Sequence, residues 1–251
     1  MGERAARGMT RPARSRLRAY LALARVSNLP TVWTNVLAGM VLSRAAVEID
    51  VYVVVAISVS LLYSAGMAFN DVVDLDHDRR ASPDRPLPAG DLTASQGTTF
   101  AVTLMTLGTA GLVGAAVPAG AVALATTAAL TVLLCLAILY YNVRHKTDAL
   151  SPLVMGLCRG LVYCVAAAVA AGSVGAAVAG GAALLTVYTV ALTLVAKYYG
   201  REYGWTIPWL IAGICLVDAA LIASAGAARL AAAALAGFPL TLAAQRIVKG
   251  T

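Results

Sequence analysis

The sequence predicts an all-α fold, a polytopic transmembrane helical bundle, and three observations carry that reading. Of its 251 residues 60% are hydrophobic and 12% charged, and the mean hydropathy is +0.80. A water-soluble domain needs more polar surface than this. The apolar residues also fall in runs of about 17 to 25, the length that carries a helix across roughly 30 Å of hydrocarbon. Finally, the basic residues gather at alternate ends of these runs, as they do when Lys and Arg are retained on the cytoplasmic side.

Taken in order, the runs give about eight spans: 28–43, 51–69, 97–115, 119–141, 151–171, 177–196, 205–224 and 228–245. The third and fourth are parted only by Val117-Pro118-Ala119-Gly120, and the fifth and sixth by residues 172–175, so both connections are tight hairpins. Residues 1–27 form a basic segment, and 28–251 a single transmembrane domain. The Arg-rich start resembles the n-region of a secretory signal, but seven further spans favour a retained first helix. Gly156 and Gly160 make a small-xxx-small contact for close helix approach.

With the first residues on the cytoplasmic side, sixteen basic residues lie there and two, Arg44 and Arg229, lie outside. Arg159 falls within a span. The expectation is a multi-pass protein of the cytoplasmic membrane with both termini inside. The net charge of +7 is therefore a topology signal, and gives no reason to invoke nucleic acid as a partner. Cys135, Cys158, Cys164 and Cys215 sit in apolar runs without metal-ligand spacing and read as packing residues.

Six of the twelve acidic residues lie between positions 71 and 91. On a helix Asn70, Asp71, Asp74 and Asp78 share an arc of about 100°, while Asp76 points the other way. Three carboxylates on one face repel one another unless a cation sits among them. Hard oxygen ligands on an open site suit Mg²⁺, which is commonly shared with substrate phosphates. A solvated acidic loop is the alternative. An EF-hand is excluded, because Arg79 and Arg85 stand where its glycine and glutamate would be.

Asn70-Asp71-x-x-Asp74-x-x-x-Asp78, followed by Arg85-Pro86-Leu87-Pro88-Ala89-Gly90, resembles the aspartate-rich motif of the UbiA superfamily of intramembrane prenyltransferases. The resemblance implies eight or nine helices around a central cavity, and transfer of an isoprenyl group from a prenyl diphosphate to an acceptor whose identity is open, an aromatic one among the options. It makes Asn70, Asp71, Asp74 and Asp78 the holders of Mg²⁺ and diphosphate, with Asp71, Asp74, Asp78 and Lys146 catalytic. Arg79 and Arg85 become phosphate contacts, a role that suits a guanidinium. The family's Tyr and Lys after the fourth span fall among Tyr140, Tyr141, Arg144 and Lys146, with either cation able to take the role.

This chain departs from the family at its second aspartate motif, where Lys197-Tyr198-Tyr199-Gly200-Arg201-Glu202 carries one acid and two cations. Paired aspartates cannot hold a second Mg²⁺ there. Lys197 and Arg201 could instead face the diphosphate, or belong to a solvated turn. Arg159 and Asp218 lie within apolar spans, where ionised groups are costly and usually face a cavity. They read either as a structural ion pair or as substrate contacts. Two rival functions stay open: a cyclase that folds the prenyl chain on itself, and a transporter of a lipid or metabolite.

Overall fold

The structure, a computed structural model, describes residues 15–248, with the side chain of Arg201 outside that description. Residues 1–14, with Arg4, Arg7, Arg11 and Arg14, and residues 249–251, with Lys249, lie outside the described residues. Among the described residues eleven α-helices follow in order: α1 (Arg16–Leu23), α2 (Leu29–Leu42), α3 (Ile49–Val73), α4 (Leu75–Ala81), α5 (Ala94–Ala116), α6 (Ala121–Arg144), α7 (Ser151–Ala171), α8 (Ala176–Tyr203), α9 (Ile207–Ala212), α10 (Ile214–Ser224) and α11 (Ala228–Ile247). No strand is present among the described residues.

Local chemistry sets many of the boundaries. Thr93 and Gln96 form a reciprocal capping box that starts α5, satisfying two amides that would otherwise lack partners. Pro30 and Pro152 stand in the first turns of α2 and α7, where a missing N–H costs nothing. The expected hairpins are present: the α5–α6 turn ends on Gly120 at φ 93° and the α7–α8 turn begins on Gly172 at φ 72°. Both need the left-handed freedom of glycine.

Seven helical segments among the described residues are long and apolar enough to cross a membrane, one fewer than the eight runs expected. The difference lies in the first. α2 has 14 residues, roughly 21 Å at 1.5 Å per residue, short of the hydrocarbon thickness. It is an inner helix, nearly all of it buried, wrapped by α3, α7, α10 and α11. Its Asn28 end meets Gln245 of α11, and its other end opens toward the α10–α11 turn, where Arg44 and Ala225 share a shallow cleft. Of the α2 side chains only Trp33 is exposed on the outside of the bundle.

Ala19 and Leu23 of α1 are buried in a cluster with Ala68, Leu87, Leu92 and Ala101, which anchors the segment before α2 to the bundle. Gly156 and Gly160 do mark a close contact, since added Cβ atoms would stand 2.7 Å from the Thr186 carbonyl and 2.9 Å from the Ala182 carbonyl. Those obstacles are backbone atoms of α8 and cannot swing away. We expect Gly156→Ala to cost about 1–3 kcal/mol by overpacking, read as a lower thermal unfolding midpoint of the lipid-embedded protein; an unchanged midpoint would show that α7 and α8 slide freely.

Candidate functional site

α3 runs regularly to Val73, then Asp74 adopts φ −87° and ψ 1° and the chain restarts as α4. The break preserves the face expected from the spacing. Asp71, Asp74 and Asp78 are 3%, 6% and 4% exposed, whereas the Asp76 side chain is 90% exposed. Asn70 is half-buried beside them.

Each buried carboxylate meets a cation from another part of the chain. Arg25 Nη2 lies 3.1 Å from Asp71 Oδ1. Arg85 Nη1 stands 2.5 Å from Asp78 Oδ2 and 3.5 Å from Asp71 Oδ1, so the two acids face each other across one guanidinium nitrogen. Lys146 Nζ is 2.5 Å from Asp74 Oδ1, and His145 Nε2 is 3.1 Å from its Oδ2. Burial works to raise the Asp74 carboxyl, but bonds from His145 and Lys146 outweigh it and hold the group below its ordinary value. The bond to Asp74 in turn raises His145.

The positions of these cations follow from the fold. Arg25 sits between α1 and a 3₁₀ turn in the left-handed region, φ 47° and ψ 47°, a conformation a non-glycine residue holds only where its surroundings enforce it. Arg85 comes from a loop pinned by buried Leu87 and Leu92. Lys146 and His145 follow α6, whose last turns are fixed by the Asn142 amide donating to the Gly66 carbonyl of α3 at 3.1 Å.

Arg25 and Arg85, which pair with Asp71 and Asp78, line a cavity of about 380 Å³, within the size range of small-ligand sites. Arg25, Asn28, Arg85 and Tyr141 line its polar end. Val32, Val59, Leu62, Leu134, Ile138 and Val162 supply apolar wall, and Arg159 projects from α7 into the interior beside Tyr63.

The structure therefore assembles Asp71, Asp74, Asp78, Arg85 and Lys146, and places Tyr141 and Arg159 on the cavity. Other expected residues stand elsewhere. Arg79 points into solvent and pairs with Asp76 at 2.8 Å, because i and i+3 on α4 share its outer face. Arg144 is exposed and makes no ion pair with the acids among the described residues, whereas Lys146 meets Asp74. Lys197 is exposed beside the Tyr198 ring, and the Arg201 side chain lies outside the described residues. Asp218 is fully buried and absent from the cavity lining. It does not pair directly with Arg159, since the Asn35 amide stands between them.

No three His, Cys, Asp or Glu side chains converge on one point among the described residues. The four-ligand set for a metal is thus not preassembled. The donor chemistry still fits Mg²⁺, which uses one or two carboxylates and completes its shell with water and substrate phosphate. Asp71 and Asp78 offer such a pair around the space filled by Arg85. The sequence-derived set of site residues does not include Arg25, Asn35, Tyr163 or His145. A polar Asn inside an apolar run was the available signal for Asn35.

The family model described as the UbiA prenyltransferase family matches residues 31–204. Among curated relatives, digeranylgeranylglyceryl phosphate synthase of Ignicoccus hospitalis is 35% identical over 97 residues, 38% of this chain and 31% of the relative. The Methanoculleus marisnigri protein of the same name is 30% identical over 124 residues, 49% of this chain and 38% of the relative. The matches span about a third of those relatives' length. A UbiA homologue from Archaeoglobus fulgidus, bound to GPP and Mg²⁺, superposes with a TM-score of 0.59 at 13% identity, covering 88% of this chain and 84% of that one. One from Aeropyrum pernix K1 gives 0.56 at 18% identity, covering 89% and 94%. At these identities the superpositions show a shared fold.

Proposed function

Since this chain belongs to the UbiA prenyltransferase family, we propose that it is a multi-pass membrane enzyme that transfers a prenyl group from an isoprenyl diphosphate to an acceptor. The observation that carries this reading is the set of three buried acids, each matched by a basic group, two of which, Arg25 and Arg85, line an apolar cavity. Relatives with solved structures bind GPP or DMAPP with Mg²⁺, in keeping with a diphosphate at this end.

Asp71 and Asp78, with Asn70 and Asp74 adjoining, would hold Mg²⁺, which when bound supplies positive charge against the phosphate oxygens. Arg85, Arg25 and Lys146 now rest on those acids. As a diphosphate enters, they turn to donate charge-assisted hydrogen bonds to its oxygens. That stabilises the leaving group as the C1–O bond breaks and its electron pair stays on diphosphate. The acceptor nucleophile then bonds to C1 and releases its proton to a base or solvent. The walls of Val32, Val59 and Leu134 keep water from the allylic cation.

The test is incubation of the lipid-reconstituted protein with labelled prenyl diphosphates of several lengths, with and without membrane extract and Mg²⁺. Transfer requires lipophilic product that depends on extract and on Mg²⁺. Product without extract would mean cyclisation or hydrolysis, and uptake without diphosphate release would mean transport. Lys146, not Arg144, is the cation we assign beside Asp74. Lys146→Met should lower turnover about tenfold or more, the worth of one hydrogen bond to a charged group, while Arg144→Gln stays near wild type; the reverse order would exchange their roles.

With α2 counted as a crossing beside the seven longer segments, the same reading orients the acidic end toward the cytoplasm with both termini, supported by the sixteen-to-two division of basic residues. A tag after Thr251 should react with an impermeant reagent only in inverted vesicles or broken cells. Labelling from outside intact cells would require an odd number of crossings.

A further inference from the structure

Of the three arginines that line the cavity, Arg25 and Arg85 meet carboxylates at its mouth, but Arg159 forms no ion pair among the described residues. Its Nη1 donates to Asn35 Oδ1 at 3.0 Å, and its guanidinium carbon stands 5.1 Å from the centre of the Tyr63 ring. A guanidinium has five N–H donors, so most of its capacity is uncommitted in a largely apolar chamber.

Behind it lies a buried relay. Asn35 Nδ2 donates to the two Asp218 oxygens at 3.0 and 2.8 Å, and the Tyr163 hydroxyl donates to Asp218 as well. Asn35, Tyr163 and Asp218 are all fully buried. With its NH₂ turned to the carboxylate, Asn35 can present only its oxygen to Arg159. The relay fixes the guanidinium without neutralising it by contact. Tyr63 stacks on one face, which leaves the planar edge, the part that grips an oxyanion in two parallel bonds.

This cation is distinct from the diphosphate end. Tyr63 precedes Asp71 by eight residues on α3, roughly 12 Å along the axis at 1.5 Å per residue. A fixed positive charge there also opposes formation of an allylic cation nearby, unless an anion covers it. We propose that Arg159, positioned by Asn35, Asp218 and Tyr163, is a second anion subsite that takes an oxyanion of the acceptor, a carboxylate or a phosphate monoester. The assignment of that oxyanion to an acceptor rests on the prenyl-transfer reading; the subsite itself does not.

The experiment is calorimetric titration of the full chain in lipid nanodiscs with benzoate, phenyl phosphate, neutral benzamide and, separately, pyrophosphate with Mg²⁺. At least one of the two oxyanions should bind wild type, and the stronger identifies the source. Arg159→Gln should weaken it about tenfold or more, and Arg159→Lys should fall between, because it keeps the charge and loses the fork. Benzamide should not compete, and pyrophosphate affinity should be the same in all three proteins. If Arg159→Gln does not fold, the Arg159→Lys comparison carries the test. Oxyanion binding indifferent to both substitutions, or no oxyanion binding to wild type, overturns the subsite. Failure of pyrophosphate to bind wild type overturns the diphosphate reading instead, and the dependence on Arg159 is still measured in the same series.

Discussion

Asp71→Asn and Asp78→Asn should each lower kcat/KM for prenyl transfer by about 10²–10³-fold, the scale for loss of one group that acts on transition-state charge, whereas Asp76→Asn should leave it near wild type. Asparagine keeps the shape and one carbonyl oxygen, so the loss isolates negative charge from packing. Asp71 and Asp78 are buried around Arg85. Asp76 belongs to an exposed pair with Arg79, of the kind that contributes little. Asp74→Asn should also be severe, because it frees Lys146 and His145 together. Thermal unfolding of each variant separates loss of chemistry from loss of fold. Similar losses at all four positions would sink the one-face arrangement.

The acidic face was legible in the sequence because helical periodicity is local: four side chains within nine residues share an arc whatever surrounds them. The same locality limits what could be read at α2. An apolar run looks alike whether lipid or other helices cover it, and only tertiary packing makes Leu29–Leu42 an inner helix. Arg79 and Arg85 looked equivalent as cations following the acids. Arg79 sits on the outer face of a regular helix, while buried Leu87 and Leu92 tie down the loop that turns Arg85 inward. Arg25 reaches Asp71 through a left-handed residue, which no propensity favours at an arginine. The relay of Asn35, Tyr163 and Asp218 joins three helices far apart in sequence, and no spacing rule reaches that far.

That relay gives the largest expected effect on stability. Asp218→Leu should cost about 3–5 kcal/mol, the usual penalty for removing one partner of a buried charged network. The substitution strands the Asn35 amide and the Tyr163 hydroxyl without acceptors, and no water from bulk reaches them, since both residues are fully buried. It also removes the acid that orients Asn35, the hydrogen-bond partner of Arg159. Tyr163→Phe deletes one donor and leaves Asp218 bonded to Asn35, so its cost should be about 1 kcal/mol, in the range of single hydrogen bonds between membrane helices. The order matters more than either value. Hydrogen-bond loss by itself would make the two variants differ modestly, whereas a network that holds α2, α7 and α10 together makes Asp218→Leu far the worse. Unfolding of the lipid-embedded variants by denaturant reads both costs. Equal, small costs would mean that the three helices are held by apolar packing, with the relay serving only to aim Arg159 into the cavity.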